Sequence, residues 1–354
     1  MRASAQTDFL SPGGSSSMDT FGGDPDSYGF IRIPSDTDDW TRHFRIGAMV
    51  GMNISANFSE KGTFVIPNKN LANGIYDDGY VRTDQTGNSG GLTGFWGYNN
   101  ASQYNPAGNF GSGTIAMHSI TSYMPTAGGN SKEDGGAFPG FDMAYGDNLW
   151  YWKHARVGWE LGFGLLPISI KNTSQMSATV NQTTATFDAG SIVIPTAPYR
   201  GGSSGQGSAI SPTALSTSSQ PLDNQTVIGT RTLDVMLYTV RLGPSFYWDL
   251  TEDFGMSLGA GPAIGLASER LDYDETITTP DGMTRNRGSI NGTDVVFGGY
   301  VNGMLTYHVL SNADIYLGAQ YMPLGNASVS GGGRQAQLKL GGQVDVSIGV
   351  NWPF

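Results

Sequence analysis

The feature that most constrains the fold is an alternation of apolar and polar residues that lasts longer than a strand of a soluble protein requires. One face of residues 44–58 is apolar at every second position, and the last residues of the chain, 338–354, repeat the pattern. Soluble strands usually run about 5 to 6 residues, whereas a tilted strand that crosses a membrane needs roughly 9 to 11. The alternation therefore predicts membrane-spanning β-strands.

The same period recurs along the chain, with strands predicted at 141–145, 157–165, 236–250, 256–266, 295–309 and 315–321. Their connections fall into two classes. The short connections lie near 146–153, 251–253 and 310–313, and the long polar connections lie near 60–134, 172–229, 272–290 and 326–333. Short and long alternate, which is typical of a barrel with tight periplasmic turns and long extracellular loops.

These patterns predict an all-β fold, a transmembrane antiparallel up-and-down β-barrel of eight strands. Strand-like pieces within the long loops leave a count of ten or twelve open; they lie at 92–98, 114–123, 178–187 and 191–194. These pieces alternate less regularly and are flanked by Gly, Asn and Pro, so we interpret them as hairpins that rise beyond the membrane.

The composition of the chain excludes several classes of function and structure. Charged residues make up only 14% of the chain, and Lys plus Arg at 19 against Asp plus Glu at 30 give a net charge of −11. Such a balance repels nucleic acid, so we expect no nucleic-acid partner. The chain has no cysteine, which leaves no disulfide or thiolate metal site. It has no apolar run of the length that a transmembrane helix needs.

The N-terminal segment, residues 1–42, is rich in Gly, Ser, Asp and Pro and is predicted to be a flexible arm before a barrel at 43–354. The triplet Ala3-Ser4-Ala5 has the small-x-small form of a signal-peptidase site, without the apolar segment that precedes such a site. It is interpreted as the remnant of an export signal, with chance in a small-residue-rich terminus as an equal alternative.

The inward face of an eight-stranded barrel must be filled by small residues or by polar groups that satisfy each other. The alternation places charges of both signs there, and we expect a lumen polar network of Arg45, Arg156, Glu160, Arg241, Asp249, Lys339 and Asp345. Buried charges must be paired to avoid a large desolvation penalty. A network that plugs the lumen is favoured over a narrow polar channel lined by the same residues.

Aromatic residues on the outward face are predicted to form the interfacial girdle of a membrane barrel. The predicted members are Trp159, Tyr238, Trp248, Tyr307, Tyr321 and Trp352. Anchors of a soluble core are the alternative, and the position of these rings near strand ends counts against it.

The chain ends in residues 346–354, where Val346, Ile348, Val350, Trp352 and Phe354 alternate with polar residues up to a terminal aromatic. With this ending, residues 44–354 resemble the small outer-membrane barrels typified by the OmpA transmembrane domain and the OmpW family. The resemblance implies that these five residues are an assembly signal read by the barrel-assembly machinery, and that the partners include outer-membrane lipid and lipopolysaccharide. Pro353 departs from the pattern because proline cannot donate a ladder hydrogen bond.

No ligand spacing joins the four histidines, so neither a metal site nor a cofactor is predicted. His118 and His308 are the candidates for an outer-membrane hydrolase, which is the least favoured function on a barrel. The acidic stretch 77–84 is interpreted as a solvated loop rather than a cation site. The sequence favours a non-enzymatic outer-membrane protein that acts through long surface loops, with an unnamed surface ligand. A narrow porin-like channel for small or apolar solutes is the alternative.

Overall fold

The computed structural model describes residues 41–66, 71–108, 112–152, 154–310 and 313–354, and regular structure there is almost wholly β. The predicted arm and export signal lie outside these residues. The strands are β1 (Arg42–Met52), β2 (Ser55–Glu60), β3 (Phe64–Val65), β4 (Gly79–Val81), β5 (Trp96–Tyr98), β6 (Tyr104–Asn105), β7 (Gly113–Ala127), β8 (Asn130–Asp134), β9 (Phe138–Tyr151), β10 (Ala155–Asn172), β11 (Met176–Gly190), β12 (Tyr199–Arg200), β13 (Ala214–Asp249), β14 (Phe254–Thr279), β15 (Gly282–Leu310), β16 (Ala313–Tyr321), β17 (Ala327–Gly331), β18 (Arg334–Lys339) and β19 (Val344–Pro353).

Three short 3₁₀ turns complete the regular structure, at Leu71–Asn73, Ser89–Gly91 and Ala101–Gln103. None of the helices in the described ranges is both long and apolar enough to cross a membrane.

Eight strands form a closed circuit of antiparallel pairs, which we call the strand ring. The order is β10, β9, β1, β19, β16, β15, β14 and β13, and β13 pairs back to β10 from Ala155↔Trp248 to Asn172↔Arg231. Because the circuit closes, these strands present no free edge to solvent along this length. The three turns at one end, between β9 and β10, β13 and β14, and β15 and β16, are short. We call this the short-turn end.

A second tier of structure lies above the ring, at the opposite end. Four ring strands are extended there by a second strand after a short interruption of the β-structure. β2 extends β1, β8 extends β9, β17 extends β16 and β18 extends β19. The four continuations form their own sheet in the order β17-β18-β2-β8. This sheet packs against the upper parts of β10, β13, β14 and β15, and side chains from both sides make one apolar core that includes Ile54, Phe58, Phe138, Leu166, Leu233, Leu271, Val296, Leu324 and Leu338.

The break between β1 and β2 is set by Asn53, whose φ of 58° lies in the left-handed region. Asparagine tolerates this conformation better than most residues, and the Asn53 side chain also donates a 2.7 Å hydrogen bond to the Gly342 carbonyl. Beyond the break, Ile54 and Phe58 are buried, at 1% and 3% exposure, although Val50 on β1 is 37% exposed. The prediction of a single strand over 44–58 is therefore wrong. The apolar and polar residues keep alternating in sequence, but the apolar side chains lie on the outer face of the ring in β1 and in the core of the second tier in β2.

The predicted C-terminal strand is also divided. Residues 340–343 form a turn between β18 and β19, and β18 pairs with β2 rather than with a ring strand. Leu338 and Leu340 consequently lie in the apolar core of the second tier, both at 0% exposure.

The predicted long loops contain most of the second tier and a distal extension. β7 and β11 pair with each other, and β11 pairs with the first part of β13, from Met176↔Val227 to Phe187↔Ala214. The strand-like pieces at 114–123 and 178–187 thus belong to this extension, outside the ring. A three-stranded sheet in the order β12-β5-β4 packs on it, through Trp96, Tyr98, Ile115, Met117 and Phe187. Residues 191–194 form no strand.

Candidate functional site in and around the strand ring

The centre of the ring is occupied by four charged side chains, which we call the lower tetrad: Arg45, Asp142, Glu160 and Arg241. Arg45 donates two hydrogen bonds of 2.8 Å to Glu160, and Arg241 donates bonds of 2.7 and 3.0 Å to Asp142. The two pairs are joined diagonally, with Arg45 Nη2 at 4.0 Å from Asp142 and Arg241 Nη2 at 3.9 Å from Glu160. Positive and negative groups alternate around the cluster, so each charge is compensated by two neighbours.

Aromatic and small residues complete the filling of this level. The guanidinium carbons of Arg45 and Arg241 lie 5.3 Å and 5.8 Å from the ring centres of Tyr316 and Tyr300. Gly162 faces Arg241 directly, and a Cβ built there would come within 2.5 Å of the guanidinium. The space left beside the tetrad is a cavity of about 10 Å³, no more than one water molecule needs. The charged and aromatic side chains therefore leave little space beside the tetrad.

Asp345 lies nearer the second tier and has amide rather than cationic partners. Its carboxylate accepts bonds of 2.9 and 3.1 Å from Gln343 and of 3.2 Å from Gln320. The other predicted lumen pair, Arg156 and Asp249, is joined at 2.8 Å near the short-turn end, where both side chains are partly exposed. The Arg156 guanidinium also lies 4.1 Å from the ring centre of Tyr247.

Below the lower tetrad the ring opens into a cavity of about 370 Å³ at the short-turn end, which we call the vestibule. Its wall includes His308, whose Nδ1 lies 2.7 Å from Asp314, and Asn351, which donates a 3.0 Å bond to the other oxygen of Asp314. Arg45 and Glu160 also line the vestibule, so the cavity reaches the lower tetrad.

Lys339 is placed elsewhere, and the prediction that it belongs to the lumen network is wrong. It lies on β18 opposite Ser55 of β2, and its neighbours Leu338 and Leu340 occupy the buried face of that sheet. The alternation of residues 338–354 is interrupted by the turn at 340–343, so the phase of β19 does not predict the direction of Lys339. Asp142 was missed, although the outward series Phe141, Met143 and Tyr145 already placed it on the inner face.

A second buried cluster, the upper tetrad, consists of Glu60, Arg231, Glu275 and Arg334. Arg231 bonds to both carboxylates, with Nε at 2.9 Å from Glu275, and Arg334 Nη2 lies 2.8 Å from Glu275. Tyr123 donates a 2.5 Å bond to Glu275, which ties β7 into the cluster. Burial and the adjacent Glu275 carboxylate raise the pKa of Glu60 to about 7. Sequence reasoning missed this cluster because Glu60 and Glu275 lie in connections predicted to be loops, and Arg231 and Arg334 lie just beyond the ends of two others.

Two carboxylates of the acidic stretch at 77–84 accept hydrogen bonds within the distal extension. His118 Nδ1 lies 2.6 Å from one oxygen of Asp78, and its backbone N–H donates a 2.8 Å bond to the other. The hydrogen bond to Asp78 raises the pKa of the His118 imidazole. Asp84 accepts bonds from the Thr86 hydroxyl and the Gly94 N–H, and these bonds lower its pKa to about 2. Both carboxylates therefore organise the chain around them.

The outer face of the ring carries an apolar belt of exposed side chains. Its larger members are Leu161 (43%), Val240 (47%), Leu242 (51%), Leu258 (49%), Ile264 (48%), Val295 (55%), Phe297 (67%), Val301 (58%), Leu305 (53%), Leu317 (54%) and Ile348 (57%). Above the belt the outward residues become polar, as at Ser268, Arg270 and Asn291, which are exposed. A soluble protein rarely exposes a continuous apolar surface of this extent.

Aromatic residues mark the two edges of the apolar belt. Trp248, Tyr307 and Trp352 lie near the short-turn end, with exposures of 46%, 46% and 39%, while Tyr238 and Tyr321, at 39% and 48%, lie toward the second tier. Trp159 is half-buried within the belt, where its ring packs 5.8 Å from that of Tyr145. Five of the six predicted girdle residues therefore occupy an edge.

The predicted assembly signal lies on β19, between β1 and β16. Val346, Ile348, Trp352 and Phe354 are exposed on the outer face, and Val350 is half-buried. Pro353 does not remove a hydrogen bond from the pairing with β1. The bonded pair at this point is Phe354 with Arg42, whose backbone groups exchange two hydrogen bonds of 2.8 and 3.0 Å. On the other side, the pairing with β16 ends at Asp314↔Asn351.

No protein-family model and no curated protein matches the chain. Solved structures similar to it include the outer membrane protein OprG from Pseudomonas aeruginosa, at 10% identity and a TM-score of 0.31, over 89% of this chain and 97% of that one. Ail of Yersinia pestis, the attachment invasion locus protein, is 10% identical with a TM-score of 0.27, over 88% and 99%. The outer membrane protease OmpT from Escherichia coli is 11% identical with a TM-score of 0.26, over 88% and 97%.

Two of these three structures are named as outer-membrane proteins, the class that the sequence resembles. The names of these structures describe different roles.

Proposed function

We propose that the chain is an integral outer-membrane protein whose strand ring is an eight-stranded transmembrane β-barrel with a closed lumen. We also propose that it acts without catalysis, through the structure that it presents beyond the membrane. The observation that carries the proposal is the apolar belt. Between Trp248 and Tyr238 it spans about ten residues of β13, roughly 33 Å along the strand, or roughly 25 Å along the axis at a tilt of about 40°. That height matches the apolar band of an outer-membrane barrel.

The orientation follows from the two ends of the ring. Tight turns lie toward the periplasm in barrels of this kind, so the vestibule would open to the periplasm and the second tier would face the outside. The second tier and the distal extension would then be the surface available to partners, lipopolysaccharide included.

Two layers support a closed lumen. The lower tetrad crosses the ring at mid-height, and the apolar core of the second tier lies above it, with Leu338 and Ile54 at 0% and 1% exposure. A continuous aqueous path would have to separate paired charges and then wet an apolar core, and both steps cost free energy. We therefore favour a closed barrel over the narrow channel.

Heat-modifiability tests the membrane barrel directly. The chain is refolded in detergent and its gel mobility is compared with and without boiling. A closed barrel migrates anomalously until boiled and resists protease. Unchanged mobility, together with solubility in the absence of detergent, would refute the proposal and favour a secreted β-sandwich.

Planar-bilayer recording tests the closed lumen. The folded protein is expected to give no unitary conductance steps, and regular steps from the unmodified protein would establish the channel instead.

Hydrolysis assays on peptide and lipid substrates test the absence of catalysis. Hydrolysis that is abolished by His118→Ala or by His308→Ala, with folding retained, would show that the protein is an enzyme.

A further inference from the structure

The distal extension ends in a small sheet, β12-β5-β4, whose two faces have different environments. The inner face is apolar and buried, with Val81, Trp96 and Tyr98 at 5%, 0% and 3% exposure. The outer face is solvated, and its central row is Tyr80, Gly97 and Arg200, which are register partners across the three strands. Gly97 contributes no side chain, and the Tyr80 ring packs over it on this face.

Tyr80 and Arg200 also line a cavity of about 360 Å³, which we call the distal groove. Phe95 and Tyr80 meet edge to face in its wall, with ring centres 5.4 Å apart, and the guanidinium of Arg82 lies 5.0 Å from the centre of Phe95. Arg200 completes the wall beside Asn99, to whose side-chain oxygen it donates a 2.6 Å bond. The groove thus presents two aromatic rings and two guanidinium groups to solvent.

Local contacts hold these groups in place before any ligand arrives. The Tyr80 hydroxyl donates a 2.8 Å bond to the Gly201 carbonyl, which fixes the ring. A Cβ at position 97 would lie 2.6 Å from that ring, so the glycine is required for this arrangement. Rigid aromatic groups and oriented guanidinium groups lose little conformational entropy on binding.

The charges of the groove select the class of ligand. Arg82 and Arg200 face one lining carboxylate, that of Asp77, and an oxygen of this carboxylate already accepts a 2.7 Å bond from the Ile120 N–H. Among the described residues Arg82 has no carboxylate partner. A local positive charge on a chain of net charge −11 is suited to a short anionic ligand at close range, while a long polyanion would be repelled by the remainder of the surface.

We propose that the distal groove binds an anionic saccharide, a short sugar chain that carries carboxylate or sulfate groups. The guanidinium groups bind the anion through paired N–H bonds, and the faces of Tyr80 and Phe95 pack against the apolar C–H surface of the sugar rings. The volume of the groove lies within the range of small-ligand sites. This inference rests on the proposed function only in requiring that the distal extension face the outside of the cell.

Calorimetry on the full chain folded in detergent tests the inference with three probes of similar length: tetragalacturonate, a sulfated tetrasaccharide and neutral maltotetraose. We expect at least one anionic probe to bind and the neutral probe to bind at least tenfold more weakly. The two anionic arms distinguish a carboxylate site from a sulfate site. Equal binding of all three, or no binding of either anion at millimolar concentration, would overturn the inference.

Variants locate the site. Arg82→Gln and Arg200→Gln are each expected to weaken the anionic probe about tenfold or more, whereas Arg270→Gln, an exposed arginine near the apolar belt, leaves binding unchanged. An effect of Arg270→Gln equal to that of the groove variants would reduce the binding to general charge attraction and refute the site. Each variant is first checked for heat-modifiability, which reports on the ring, and for protease resistance of the distal extension, which carries the groove. A folded barrel that binds no anionic saccharide refutes this inference alone, while loss of the gel shift in the unmodified protein refutes the proposed function.

Discussion

At the scale of single residues, the lower tetrad is held by compensation of charge. Replacing Arg45 with Met leaves Glu160 buried with only the longer contacts to His43 and Arg241, at 3.7 and 3.9 Å, so we expect the free energy of unfolding to fall by about 3 to 5 kcal/mol. Arg156→Met is the matched control. Its pair with Asp249 is partly exposed at the ring mouth, so a loss of about 1 kcal/mol or less is expected. Urea unfolding in detergent micelles measures both, and equal losses would contradict the assignment.

His118 gives a pH dependence whose sign follows from its partner. Because Asp78 raises the pKa of His118 in the folded state, this pair stabilises the distal extension fully below the unfolded pKa of about 6.5. The stabilisation is lost as the pH rises through the higher folded pKa. Titration of the imidazole by NMR is expected to give a midpoint above about 6.5 that falls in Asp78→Asn. A midpoint that the substitution leaves unchanged would show that Asp78 is not the cause.

Sequence reasoning identified many of these residues and failed at particular ones. Arg45, Glu160 and Arg241 lie within strands whose alternation is unbroken, so their inward direction could be read from the phase. Lys339 lies beyond a turn, where the phase no longer applies. The partners of Arg231 could not be predicted, because Glu60 and Glu275 meet it only through the folding of separate segments.

At the scale of elements, the break at Asn53 redirects the chain from the ring into the second tier. Asn53→Gly keeps the left-handed conformation and loses the hydrogen bond to Gly342, so a loss of about 0.5 to 1.5 kcal/mol is expected. Asn53→Ala adds the cost of a left-handed alanine, about 1 kcal/mol more. Unfolding midpoints compare the two variants, and equal stability would show that the backbone conformation is not what Asn53 supplies.

This break also explains why the sequence predicted one strand where the structure has two. A single residue in the left-handed region changes the direction of the chain without changing the order of apolar and polar side chains. Alternation reports which residues share a face of a local strand. It carries no information on whether that face meets lipid or a core, which depends on strands distant in sequence.

At the scale of the whole molecule, the two tetrads stabilise different levels and should be separable. Arg231→Met is expected to expose the second tier and distal extension to protease, because it leaves Glu60 and Glu275 buried with fewer cationic partners. The gel shift on boiling should remain, since the ring keeps its pairing. Limited proteolysis in proteoliposomes and gel mobility provide the two readouts. Loss of the gel shift together with the protease resistance would show one cooperative unit instead.

The ring strands differ greatly in length: β13 covers Ala214–Asp249, while β16 covers only Ala313–Tyr321. From Tyr238 to Ala214, β13 has up to about 80 Å of strand beyond the upper edge of the apolar belt. The structure beyond the apolar belt therefore extends much farther along β13 than along β16. If the ring spans the outer membrane as proposed, β13 would carry the distal groove well above the headgroups and sugars of neighbouring lipids, where it would be met first by whatever approaches the cell.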